Sequence, residues 1–138
     1  MTPRLRSTLA LGALTLAALA VPLAARGDDG GADARPDIRV ERSCTATSTV
    51  RLRVRAEDEG LLRVDVDVRT PRRGARWAVS IVHERRLAWS STRRTSAGSG
   101  AFSVRFTTPD WPGRDAVIVR AVGPRGEICR AGVTVAGT

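Results

Sequence analysis

The chain has 138 residues, with 23 basic side chains against 14 acidic ones and a formal charge of +9, and every basic residue is Arg. The one His cannot supply a metal-ligand set alone, and no metal cluster, P-loop, dinucleotide fingerprint or Ser-His-Asp spacing occurs. The expectation is a non-catalytic chain without cofactor or metal, and the lack of Lys and Tyr is a bias that GC-rich coding produces.

Residues 1–25 read as an export signal. Arg4 and Arg6 form a basic start, and from Leu9 to Ala25 no charge interrupts a run of Ala and Leu. Cleavage fits after Ala20 or after Ala25, with Ala25 preferred, and the rival is an uncleaved anchor at the short edge of spanning length. The arginines are not a twin pair and no Cys follows the run, so neither a twin-Arg signal nor a lipoprotein anchor is indicated. Removal of residues 1–25 leaves 21 arginines against 14 acidic residues, a balance of +7 on one domain. The signal predicts secretion or a cell-envelope location, with no stable membrane anchor once it is cleaved and no nucleic acid as partner. Partners are then anionic envelope polymers or another extracellular protein, and the oligomeric state is left open.

Residues 26–37 read as a flexible acidic leader, rich in Gly and Asp and without periodicity. Its Arg26-Gly27-Asp28 tripeptide is read as accidental rather than as an integrin motif. The sandwich domain is placed at 38–138. Cys44 and Cys129 are an even pair in an oxidising compartment and are expected to form a disulfide. Closing 85 residues of chain, such a bridge contributes roughly 4–5 kcal/mol in the chain-entropy model.

Seven strands follow. Thr49 to Ala56 sets Val50, Leu52, Val54 and Ala56 on one face and Arg51, Arg53 and Arg55 on the other, and Leu62 to Val68 repeats the alternation across a Glu57-Asp58-Glu59-Gly60 turn. Pairing Ala56 with Leu62 sets Arg53 opposite Asp65 and Arg51 opposite Asp67, two expected cross-strand ion pairs. A one-residue slip would carry the arginines into the core. Arg76 to Glu84 carries Trp77, Val79 and Ile81 inward, and Arg86 to Thr92 carries Leu87 and Trp89 with weaker alternation, as an edge strand would. Ala101 to Thr107 carries Phe102, Val104 and Phe106. Ala116 to Val122 and Glu127 to Val135 close the domain across a Gly123-Pro124-Arg125-Gly126 hairpin. The predicted fold is all-β: one antiparallel two-sheet sandwich of about seven strands, immunoglobulin-like, with the signal helix as the only helix. The predicted core contains Trp77, Val79, Ile81, Phe102, Val104 and Phe106.

The stretch from Asp110 through Trp111, Pro112, Gly113 and Asp115 to Ala121 resembles the bend into the sixth strand of bacterial immunoglobulin-like and fibronectin-like domains, with Asp115 standing where those domains usually carry Tyr. Trp77 is similar to the core Trp of that architecture. More narrowly, the order Ser43-Cys44-Thr45, Arg76-Trp77-Ala78-Val79, Val82-His83, Ser99 to Arg105, then Val119-Arg120-Ala121 with Ile128-Cys129-Arg130 resembles a group of small secreted actinobacterial proteins. The resemblance implies fold and compartment and adds no mechanism. Since Cys44 precedes the first of the seven strands, the bridge is expected to tie terminal segments together rather than pin sheet to sheet.

Three candidate sites remain. The arginine pairs Arg72-Arg73, Arg85-Arg86 and Arg93-Arg94 sit at strand ends, where planar guanidinium forks can meet phosphate or carboxylate groups if the pairs gather on one side. Trp89 and Trp111 form an aromatic patch if both are exposed, with at least one expected in the core. His83 with Glu84, or Asp65 with Asp67, would be needed for acid-base chemistry. Asp65 and Asp67 read as a salt-bridged face, and His83 as the end of the core stripe with one ring nitrogen at the rim.

Overall fold

A computed structural model describes residues 35–136. The expected signal peptide with its anchor alternative, and the leader up to residue 34, lie outside the described residues. Eight strands run in chain order: β1 (Asp37–Ser43), β2 (Thr49–Glu57), β3 (Leu61–Arg69), β4 (Arg76–His83), β5 (Arg86–Arg94), β6 (Ala101–Pro109), β7 (Arg114–Val122) and β8 (Ile128–Ala136). They form two antiparallel four-stranded sheets, in the orders β1-β2-β3-β6 and β5-β4-β7-β8.

Period-two alternation builds both sheets. Val50, Leu52, Val54, Leu62, Val64, Val66 and Val68 line the inner face of the first, and Trp77, Ile81, Val117, Val119 and Val135 that of the second, all without solvent exposure. The two sets pack into one core that includes Phe102 and Val104, while Phe106 is only partly buried at its margin. The β2–β3 register pairs Ala56 with Leu62, Arg53 with Asp65 and Arg51 with Asp67, as expected.

Eight strands stand among the described residues where about seven were expected. Asp37–Ser43 is an eighth strand, and Arg35 and Pro36, assigned to the leader, already engage Asp58 and the Ala56 N–H. Only Ile38 and Val40 of this strand pack on the core, so its alternation is short. β1 also redirects the expected ion pairs. Arg51 donates from Nε and Nη2 to Glu41, at 3.0 and 2.8 Å, and Arg53 binds Asp37 through the same two nitrogens. Asp37 meets the Arg53 fork with both oxygens, whereas Glu41 takes both Arg51 N–H groups on Oε2, and Asp65 and Asp67 turn to β6, accepting from Arg105 and Ser103.

The disulfide joins Cys44 to Cys129, and its role differs from the expected one. Because β1 precedes Cys44 and belongs to the first sheet, the bridge links the β1–β2 connection of one sheet to β8 of the other. Neighbouring bonds reinforce it: Thr45 N–H donates to Ile128 O, Ile128 N–H to Thr45 Oγ1, and Ser48 N–H to the buried Glu127 carboxylate.

The two-residue β4–β5 hairpin holds Glu84 at φ 47° and Arg85 at φ 65°. Paired positive φ values match the twist of a tight hairpin, a conformation that Asn-Gly adopts at lower cost.

Candidate functional site

Strand direction sorts the charges. The β1–β2, β3–β4, β5–β6 and β7–β8 connections all lie at one end of the sandwich, joined by hydrogen bonds from Thr45 to Ile128, Gly74 to Thr95 and Thr70 to Gly100. In or beside them are Arg42, Arg69, Arg72, Arg73, Arg76, Arg93, Arg94 and Arg125, of which only Arg72 is half-buried and the rest are exposed. The same connections hold one acidic residue, Glu127, which is buried on the Ser48 N–H. The opposite end carries Glu57, Asp58, Glu59, Glu84 and Asp110 interspersed with Arg35, Arg85, Arg86 and Arg114. Among the described residues, every Arg–carboxylate ion pair involves the first sheet, its β2–β3 turn or the adjoining Arg35.

Of the three arginine pairs, the structure brings two together. Arg72-Arg73 and Arg93-Arg94 share the basic end, whereas Arg85-Arg86 spans the β4–β5 turn and the first residue of β5 at the opposite end. An eight-residue strand separates them, about 25 Å. Even at the basic end, neighbours in sequence diverge. Arg93 lies over the Trp89 ring at 5.3 Å, and Arg94 turns outward to donate to Gly74 O at 2.7 Å. Thr95 sets the loop beneath them, its Oγ1 donating to Arg72 O and accepting from Ala75 N–H, both at 2.8 Å.

A surface depression of about 390 Å³ lies instead on the outer face of the first sheet, lined by Arg39, Arg51, Arg53, Asp65, Asp67 and Arg105. Each of its arginines already meets a carboxylate. The Arg53 guanidinium holds the Asp37 carboxyl at about 2, well below its usual range. A depression with its charges matched internally offers little to a charged ligand.

His83 has a different neighbourhood from the one the sequence suggested. It ends the core stripe but is fully enclosed: Nε2 lies 2.6 Å from Asp115 Oδ1 and Nδ1 lies 3.1 Å from Thr108 Oγ1. Glu84 binds the Ala116 N–H instead. The network ties β4, β6 and β7 across the two sheets, and Asp115 also accepts from the Trp111 N–H, which fixes the bend into β7. Chemically this is a carboxylate–imidazole–hydroxyl relay with both ring nitrogens committed.

Trp111 covers it, stacked on His83 with ring centroids 4.5 Å apart. Neither Trp89 nor Trp111 is buried, contrary to expectation: Trp89 is half-buried against the core and Trp111 is 37% exposed. They are engaged separately, Trp89 by Arg93 and Trp111 by His83. Trp111 shares a groove of about 340 Å³ with Leu87, Arg86, Phe106 and Pro109. Sequence order could not expose that grouping, because it joins the β4–β5 and β6–β7 turns. Among the described residues no group of three or more His, Cys, Asp or Glu is placed to hold a metal ion.

Comparison with protein-family models, with curated proteins and with solved structures finds no match to this chain.

Proposed function

We propose that the chain is an exported, non-catalytic β-sandwich of immunoglobulin-like or fibronectin-like type. It acts at the cell envelope or outside the cell as a binding module for anionic polymers, engaged by its arginine end. The observation that carries this reading is the imbalance of charge along the sandwich: eight arginines gather at one end against a single, buried acidic residue, while at the other end arginines and carboxylates are interspersed. A merely solubilising surface needs no such imbalance, since interspersed charges serve as well. A segregated one attracts and orients polyanions.

The architectural part rests on strand order. Without β1, three strands (β2-β3-β6) face four (β5-β4-β7-β8), the chain crossing between sheets after β3, β5 and β6. Export is supported by the signal-like start and by the disulfide, which persists in oxidising compartments.

Retention of the purified domain on an immobilised acidic polysaccharide tests the reading. Retention should fall steeply between low and moderate salt, and retention that ignores salt, or no retention, refutes it. A second reading, docking of an extracellular protein at the Trp111–Leu87 groove, draws on the two exposed large hydrophobic side chains there. It predicts a salt-insensitive shift of Trp fluorescence on partner addition.

A further inference from the structure

The outer face of the second sheet contains a second arginine feature, invisible in the dipeptide pattern. Outward positions pair Arg94 with Arg76 on β5 and β4, and Arg120 with Arg130 on β7 and β8. All four are exposed. Like charges directly opposite each other on neighbouring strands are destabilising.

The first sheet has such pairs too, Arg39–Arg53 and Arg55–Arg63, but there carboxylates intervene: Asp37 meets the first, and Glu57 and Asp65 meet the second. On the second sheet no Asp or Glu occupies an outward position on any of the four strands. Arg94 donates to the Gly74 carbonyl, but among the described residues no carboxylate offsets either pair.

The row through the second pair runs Ser90, Ser80, Arg120, Arg130, two hydroxyls followed by two guanidinium groups. The row towards the basic end is Thr92, Ala78, Val122, Ile128, and the row beyond includes Val82, Ile118 and Gly132. Small and aliphatic side chains thus leave a flat strip on both sides of the polar row. By strand geometry the two arginine pairs stand roughly 16 Å apart across it, and the Arg76–Arg94 pair adjoins the arginine end.

We infer that this face continues the binding surface: the Arg76–Arg94 and Arg120–Arg130 pairs are two anchor points for one linear polysaccharide carrying carboxylates on its sugar rings. The inference rests on the reading under Proposed function and names the polymer and its path. Each guanidinium pair suits a carboxylate, the Ser80, Ser90 and Thr92 hydroxyls suit sugar hydroxyls, and the aliphatic strip suits the C–H faces of the rings. One polymer occupying both anchors gains effective concentration that a single sugar acid cannot.

The test measures binding of the disulfide-bonded protein to polygalacturonate, to galacturonate oligomers of graded length, to polyphosphate and to neutral dextran. Affinity should rise abruptly once oligomers are long enough to span both anchors, and polygalacturonate should exceed polyphosphate at equal charge. The double variant Arg120→Gln/Arg130→Gln should lose about tenfold in polymer affinity while melting no lower than the parent, since it relieves a like-charge pair. Arg120→Lys/Arg130→Lys, which keeps charge but loses the planar fork, should fall between the two. Parental polymer affinity in the Gln double variant, alongside weakened binding in Arg72→Gln/Arg93→Gln, would overturn the track and leave the arginine-end reading standing. No retention of any polyanion would overturn both, and preference for polyphosphate would overturn the sugar-acid assignment.

Discussion

Asp115 Oδ1 lies 2.6 Å from His83 Nε2, on strands β7 and β4, with both side chains 1% exposed. This contact, continued to Thr108 on β6, locks the bend that precedes β7 at the position where the sequence resemblance expects a Tyr. Removing one member leaves buried polar groups unpaired. Asp115→Ala should therefore cost about 3 kcal/mol in urea unfolding, and Asp115→Asn less. Both should shift the emission of Trp111 to the red. A loss under about 0.5 kcal/mol, the range of ordinary surface substitutions, would show that the network carries no structural role.

The disulfide should matter comparably. Cys44→Ser is expected to lower stability by about 3–5 kcal/mol, because it frees the β1–β2 connection from β8. Glu127→Gln, which weakens the nearby Ser48 anchor, should cost less. Equal melting temperatures with and without reductant would contradict the bridge.

Gly123 and Trp77 form a coupled pair. A Cβ at Gly123 would meet the Trp77 ring at 2.6 Å, and the ring is fully buried with Phe102 beside it. Gly123→Ala should cost about 1–3 kcal/mol by overpacking, and Trp77→Ala about 3–5 kcal/mol by leaving a cavity. Trp77→Phe should relieve part of the Gly123→Ala cost. Strict additivity in the double mutant would argue against the contact.

The Asp37–Arg53 pair predicts an acid-side pH dependence. The carboxyl sits at about 2 in the folded chain against 3.8 for the free group, lowered by the Arg53 hydrogen bond. Its contribution is thus present above about pH 4 and lost as pH falls towards 2. Being exposed, it should also shrink with salt. Asp37→Asn and the parent should converge in stability at about pH 2 and separate above about pH 4. A gap that persists at pH 2 would assign the effect to something other than ionisation.

Much of this fold was legible in the sequence. Strands β2 to β8 announce themselves by alternation, clean in all but β5, whose register shifts beside Val82 and leaves Leu87 exposed, and the β2–β3 register followed from keeping Arg51, Arg53 and Arg55 out of the core. β1 did not, since an edge strand with only Ile38 and Val40 inward carries too short a pattern. Missing it misassigned both the partners of Arg51 and Arg53 and the inter-sheet role of Cys44. His83 and Asp115 are 32 residues apart, so the adjacent Glu84 was the visible partner and the wrong one. The Arg93-Arg94 dipeptide misled for a geometric reason. Consecutive strand residues face opposite ways, so the pairs that share a face are cross-strand ones such as Arg76–Arg94 and Arg120–Arg130.

The most direct test of the central claim compares two charge-matched quadruple variants on one acidic polysaccharide across a salt series. One replaces Arg72, Arg73, Arg93 and Arg94 with Gln, and the other replaces the ion-paired Arg39, Arg55, Arg63 and Arg105. The arginine-end variant should lose most of the parental affinity and most of its salt dependence, while the ion-paired variant retains the larger part of both. Equal losses in the two variants would mean that net charge alone, and not its segregation to one end, governs binding.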